Sequence, residues 1–202
     1  MIRRFASVSG FVLAGGASRR MGWDKAKLVL GGKSMLERQV RVLQAVSRSV
    51  AVVGPPERCQ GLEIRILPDE VPGCGPLGGI YSGLLHTRTE YNLFLGCDLP
   101  FIEMRFLCWL VERALQYQTD VTVPKTREGY YQSLCAVYRR RALGTIRAVL
   151  AGGRNEVRAF FPRVHGRVIP WTETAHAGFS PRIFVNMNTP EDYEAAKKAF
   201  GP

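Results

Sequence analysis

Residues 11–25 read FVLAGGASRRMGWDK: an apolar run, Phe11-Val12-Leu13, passes into a loop that holds Gly15, Gly16 and Gly22, the cations Arg19, Arg20 and Lys25, and the acid Asp24. A buried strand that ends in small residues and positive charge has two physical readings. Ala14, Gly15 and Gly16 carry little or no side chain, so backbone N–H groups can approach an anion closely, with Arg20 and Lys25 to bind its charged oxygens. The same composition also makes a tight surface turn flanked by cations. Neither familiar nucleotide loop decides between them. Gly32-Lys33-Ser34 has the end of a P-loop, but the position that needs the first glycine is Lys27, and GxGxxG fails because position 17 is Ala17.

The pattern around this stretch decides the fold class. Short apolar runs alternate with amphipathic segments. Strands are expected at Phe11–Leu13, Val50–Val53, Ile64–Leu67, Asn92–Leu95, Val121–Val123, Leu134–Tyr138 and Ile183–Val185, and helices at Ser34–Val46, Leu77–His86, Glu103–Gln116, Ala142–Leu150 and Glu191–Phe200. Ser34-Met35-Leu36-Glu37 has capping-box spacing, and Thr189-Pro190-Glu191-Asp192 repeats the device with proline at the first helical position. Strands joined by helices of this length pair in parallel through right-handed crossovers. The expectation is a three-layer, Rossmann-like α/β fold with a mostly parallel central sheet, in one domain spanning residues 1–202. In such sheets ligands bind at the carboxyl ends of the strands, so the loops after them are the places to search.

Composition limits the function classes. The chain has 202 residues, 46% hydrophobic, enough for a substantial core, and no apolar run long enough to span a bilayer. The N-terminal residues show no signal-peptide pattern, so a cytoplasmic protein that makes no use of the membrane is expected. Five cysteines with no Cys-x-x-Cys pair argue against a disulfide framework or zinc site, and the three histidines include no pair four residues apart. Twenty-eight Lys and Arg against 17 Asp and Glu give a net charge of +11, which attracts polyanions without saying which. The cations are spread along the chain with no basic tail or aromatic-basic pattern, so nucleic acid is the lesser reading.

Four further strand-end segments carry candidate chemistry. Asp98, in Gly96-Cys97-Asp98-Leu99-Pro100, is placed to hold Mg²⁺ against phosphate oxygens, or to stabilise a turn before Pro100. Asp69, in Leu67-Pro68-Asp69-Glu70, has the same two readings. Gly75-Pro76-Leu77-Gly78-Gly79 opens a helix, where glycine lets a base or sugar lie on the backbone or lets the helix pack closely on the sheet. Asn186 and Asn188, in Asn186-Met187-Asn188-Thr189-Pro190, set two amides beside a capped helix, suited to a heterocycle or phosphate and equally to a turn.

Taken together, Leu13 to Lys25 with Ser18, Arg20 and Met21, then Gly75–Gly79, Gly96–Pro100 and the terminal NMNTPED resemble the nucleotidyltransferases that activate small phosphorylated molecules. The terminal motif and SLCAVYRRRAL (Ser133–Leu143) are most similar to the molybdenum cofactor guanylyltransferase family, and the likeness covers nearly the whole chain. It implies transfer of GMP from GTP to the terminal phosphate of molybdopterin, with Mg²⁺ as cofactor and pyrophosphate as leaving group. It also implies that Leu13, Ala14, Gly15, Gly16, Lys25, Asp69, Gly78 and Asp98 form the nucleotide site in the N-terminal half. Arg20, Lys25 and Asp98 would act in the reaction, with Asp98 as the metal ligand. Asn186, Asn188 and Tyr130–Cys135 would lie towards the pterin in the C-terminal half. The expected partners are GTP, molybdopterin and other proteins of molybdenum cofactor biosynthesis, and the expected state is a monomer.

The chemistry agrees with these residue types, because phosphoryl-type transfer needs positioning and charge stabilisation rather than a covalent nucleophile. Two positions depart from the family pattern. Gly54 stands where an Asn after the second strand is expected, and Tyr130–Cys135 lacks a proline after its polar residue. The alternative within the fold is a cytidylyltransferase acting on molybdopterin or an isoprenoid-precursor alcohol phosphate. From a different class, the alternative is a basic nucleic-acid or scaffold protein.

Overall fold

A computed structural model describes residues 4–15 and 24–201. Its centre is a seven-stranded sheet built from β1 (Phe5–Leu13), β4 (Ser47–Val53), β5 (Arg65–Leu67), β6 (Tyr91–Gly96), β7 (Val121–Pro124), β8 (Cys135–Arg139) and β9 (Gly166–Ile169), in the order β5-β4-β1-β6-β8-β7-β9. β8 pairs antiparallel with both neighbours, and the other pairings are parallel. The expected mostly parallel α/β sheet is therefore present.

Period-two alternation sends side chains from each strand into two cores. Val8 and Val12 of β1 face one side, with Leu36, Val40 and Leu43 of α1 (Met35–Val46) and Phe106, Leu107 and Leu110 of α3 (Met104–Tyr117). Phe11 and Leu13 face the other side, with Leu77, Ile80 and Leu84 of α2 (Gly75–Leu85) and Ile146 and Val149 of α4 (Leu143–Ala151). Three layers result. A Cβ on Gly83 would lie 2.6 Å from the Phe94 ring, so that glycine lets α2 sit down on the stacked Phe11–Phe94 pair.

Both expected caps are present, with one difference. Thr189 and Asp192 at the start of α7 (Pro190–Phe200) form the full reciprocal capping box. At α1, Ser34 Oγ accepts from the Glu37 N–H at 3.1 Å, but the Glu37 carboxylate turns to Arg41 at 2.9 Å.

Three segments depart from the sequence expectation. Ile183–Val185 is not a strand: Pro181–Phe184 forms a 3₁₀ turn, capped by Ser180 Oγ on the Arg182 N–H. Pro181 favours that start, and Ile183 and Phe184 bury against Phe106 in a turn as fully as they would in a sheet. β9 is an added edge strand, half polar and so weak in apolar pattern. Leu30-Gly31-Gly32-Lys33 is the turn between β2 (Val29–Leu30) and β3 (Lys33–Ser34), with both glycines at positive φ, +53° and +73°. That hairpin explains the P-loop-like Gly32-Lys33-Ser34 as a two-residue turn running into a helix cap. Two short helices, α5 (Val157–Phe160) and α6 (Trp171–His176), complete the chain.

Candidate active site

The strand register aligns the loops. Leu13 pairs with Val53 on one side and Gly96 on the other, and Val53 pairs with Leu67, so four strands end on one line. The line is extended by backbone bonds, Ala14 N–H to Val53 O at 2.9 Å and Gly54 N–H to Leu67 O at 3.1 Å. Because β8 runs the other way, its first residues reach this same edge, and Gly96 N–H donates to Leu134 O at 2.8 Å.

A cavity of about 160 Å³ opens at this edge, walled by Leu13, Ala14, Gly15, Asp24, Lys25 and Asp98, with Arg58 and Cys97 also on its lining. The structure thus brings Leu13, Ala14, Gly15, Lys25 and Asp98 together. A Cβ on Gly15 would meet no atom of the described residues within 4 Å, so nothing among them packs against that glycine. Gly16 and Arg20 lie outside the described residues.

Asp98 owes its position to Gly96, where a Cβ would come within 2.8 Å of Asp98 Oδ1. Burial pushes its carboxyl above the usual aspartate range, and the ammonium of Lys25 partly opposes that rise. The thiol of neighbouring Cys97 is pushed well up by burial, with Asp98 adding to the effect, and so is no nucleophile.

The C-terminal segment meets the N-terminal one here. Asp98 O accepts from the Met187 N–H at 2.8 Å, and Lys25 Nζ donates to Asn188 Oδ1 at 2.6 Å, across 163 positions of sequence. Met187 itself is buried with Leu30, Met35 and Ala196, which pins the segment between the β2–β3 hairpin and α7. Asn188 N–H donates to Asp192 Oδ2 at 2.8 Å, and that bond is the largest cause holding the Asp192 carboxyl below its usual range. Asn186 sits half-exposed on the same segment.

Asp69 and Gly78 are on the same strand edge but off the wall of this cavity. Asp69 follows β5, with Oδ1 accepting from the Val71 N–H at 3.2 Å and lying 3.3 Å from Ser82 Oγ. Gly78 packs closely, since a Cβ there would come 3.0 Å from Cys74 Cβ and 3.1 Å from Val71 O. Gly54 is equally close: at φ +153°, a Cβ would come 3.0 Å from the Ala14 carbonyl carbon, so a side chain there is strained against the backbone. Its N–H is already spent on Leu67.

Arg58 is the residue that sequence reasoning missed. Its Nε donates to Asp24 Oδ2 at 2.7 Å and its Nη1 donates to Ala14 O, so one guanidinium clamps both ends of the segment between positions 15 and 24. Asp24 is fixed in turn by its other oxygen, which accepts from the Ala26 N–H at 3.1 Å. The available signal was a cation in Pro55-Pro56-Glu57-Arg58, just past a strand end, together with an acid in an otherwise basic loop.

A second, larger depression of about 810 Å³ lies beside the cavity, between the start of α2 and the loop joining β7 to β8. Gly75, Tyr130, Tyr131, Ser133, Asn155 and Phe161 are among its walls, and Tyr131 stacks on Phe161 at 4.9 Å. Lys125 Nζ lies over the Tyr131 ring, 4.5 Å from its centroid. These exposed aromatics come from the Tyr130–Cys135 segment.

A Rossmann-like sheet with cations and a recessed carboxylate at its switch edge defines a nucleotidyltransferase. The chain belongs to the MobA-like NTP transferase family, whose domain model matches residues 10–168. It is 32% identical over 197 residues to a molybdenum cofactor guanylyltransferase of Desulfosudis oleivorans, covering 96% of each chain. In fold it is similar to molybdopterin-guanine dinucleotide biosynthesis protein A of Archaeoglobus fulgidus, with a TM-score of 0.82 at 23% identity over 95% of this chain and 97% of that one. It is less similar to the 2-C-methyl-D-erythritol 4-phosphate cytidylyltransferase of Thermus thermophilus, with a TM-score of 0.67 at 15% identity over 94% and 96%. Among the described residues, no helix is long and apolar enough to cross a membrane.

Proposed function

We propose that the chain transfers GMP from GTP to the terminal phosphate of molybdopterin, in a Mg²⁺-dependent reaction that releases pyrophosphate. The observation that carries this reading is the meeting of Lys25, Asp98 and Asn188 beside the open backbone at Gly15, within a chain related over its length to guanylyltransferases. Strand spacing gives the site its extent. At about 4.8 Å per strand, the edge from β5 to β6 spans roughly 14 Å, the reach of an extended nucleoside triphosphate. On this reading the base lies towards Asp69 and Gly78, and the phosphates lie between Gly15 and Asp98.

Each side chain then has a definite task. Lys25 binds phosphate oxygens and offsets the charge that builds on the leaving pyrophosphate. Asn188 directs the Lys25 ammonium without neutralising it, because an amide oxygen carries no formal charge. Asp98, a hard oxygen donor beside the phosphate position, would hold Mg²⁺, and the ion would supply Lewis-acid polarisation there. Arg58 holds the loop in register, and Arg20 joins the phosphate contacts. The attacking phosphate is already an anion, so no general base is required. The aromatic depression at Tyr130 and Tyr131, which offers flat π-faces, takes the pterin, with Asn186 on its approach.

Incubation with GTP, Mg²⁺ and molybdopterin tests this reading, with release of pyrophosphate and formation of the guanine dinucleotide expected together. Thermal shifts with single nucleotides test the base: stabilisation by CTP and not GTP would move the chain to the cytidylyltransferases of this fold. The working state read here is a cytoplasmic monomer.

A further inference from the structure

The opposite end of the sheet carries a feature that nucleotidyl transfer does not use. A cavity of about 760 Å³ lies over Ser9–Phe11 of β1 and the first residues of β4 and β5, beneath the last turn of α2, and Arg48, Arg65, Arg88 and Arg140 are among its walls. All four are exposed, and among the described residues none has a carboxylate partner. Six other arginines, Arg41, Arg58, Arg105, Arg139, Arg141 and Arg167, each face an acid; what sets the four apart is that they share one cavity. Two acids close by have partners of their own: Glu70 pairs with His86 of the cavity wall at 2.6 Å, and Glu90 pairs with Arg139.

The floor is polar but self-satisfied. Ser9 and Ser49 hydroxyls lie 3.0 Å apart, and Thr89 Oγ1 continues the chain to Ser9 at 2.8 Å and to the buried Asn92 at 3.0 Å. Beneath it Phe11 and Ala51 are almost fully buried. Four arginines around one concave surface concentrate positive potential and offer planar donor forks suited to phosphate oxygens. We infer that this cavity is a second anion site, which takes a compact di- or triphosphate at the edge of the sheet away from catalysis.

Calorimetric titration of the full chain with inorganic tripolyphosphate, in magnesium-free buffer, tests the assignment. The expected result is a binding event that survives Lys25→Ala and weakens about tenfold or more in Arg65→Gln/Arg88→Gln, with turnover of the arginine variant within about twofold of the parent. Arg48→Gln/Arg140→Gln should weaken the same event, and the melting temperatures of both variants check that the fold is intact. A parallel titration of Lys25→Ala with GTP separates free polyphosphate from nucleotide as the source of the phosphates, since one of the two must lose affinity when the arginine pairs are removed in that background. Binding that vanishes in Lys25→Ala and ignores both arginine pairs would overturn the assignment. So would sulfate binding as tightly as tripolyphosphate at equal ionic strength, or a short oligonucleotide binding through these arginines when tripolyphosphate does not.

Discussion

The two ends of the central sheet handle charge in opposite ways. At the carboxyl edge Lys25, Arg58, Asp24 and Asp98 stand together, tied by bonds that join residues far apart in sequence. At the amino edge Arg48, Arg65, Arg88 and Arg140 stand over hydroxyls with no acid among them. The first edge has charges of both signs, which is what the proposed reaction asks of it: an acid for a metal and a cation to oppose a leaving group. The second has only attraction to offer. A basic sequence therefore does not make a uniformly basic active site; four of the cations stand at the other end of the sheet.

The sharpest way to break the contrast is to remove the one recessed acid. Asp98→Asn should lower turnover with GTP and Mg²⁺ about a thousandfold or more, read as pyrophosphate release. Its effect on the apo fold should have the other sign. A carboxyl whose folded pKa is raised contributes stability while protonated and loses it as pH rises through that folded value, so the variant should gain on the parent as pH rises from below that value to above it in metal-free melts. A variant that stays active, or that melts lower above that value, would remove Asp98 from its assigned place.

Lys25→Ala should lower turnover about a hundredfold or more and raise the GTP concentration needed for half-maximal rate, as a phosphate ligand would. Gly96→Ala forces the Asp98 carboxylate to move, and roughly tenfold or greater loss of rate with an altered Mg²⁺ requirement is expected. Gly83→Ala sharpens the comparison from the core side. It crowds the Phe94 ring and should destabilise by about 1–3 kcal/mol in denaturant unfolding, with kcat unchanged. Asp192→Asn should have the smallest effect, about 1 kcal/mol at neutral pH. Because the Asp192 carboxyl is held below its usual range, the parent's advantage should be present above that range and disappear as pH falls through the lowered folded value.

Much of this arrangement was legible in the sequence, and for physical reasons. Buried parallel strands write themselves as apolar runs such as Phe11-Val12-Leu13 and Leu93-Phe94-Leu95, and caps write themselves as Ser34…Glu37 and Thr189…Asp192, so the sheet and five helices could be read. β9 escaped because a half-polar edge strand carries little pattern, and Ile183–Val185 misled because burial in a 3₁₀ turn looks like burial in a strand. Asp98 and Lys25 stood out as charges at strand ends. Arg58 did not, since its meaning depends on Asp24 and Ala14 being brought to it by the fold. The amino-edge arginines come from four separate segments, and only the topology assembles them.

The reversed strand β8 has one more consequence. Residues 125–134 leave the sheet at Pro124 and re-enter it at Cys135 on the same edge, so both feet of this loop stand beside the site and no helix hangs from it. Such a loop can be lengthened, shortened or exchanged as a cassette while the register of β1, β4 and β6 stays intact. In a lineage of enzymes built on this sheet, the choice of acceptor can then drift independently of the grip on the nucleotide, with Tyr130 and Tyr131 as this chain's own version of the exchangeable part.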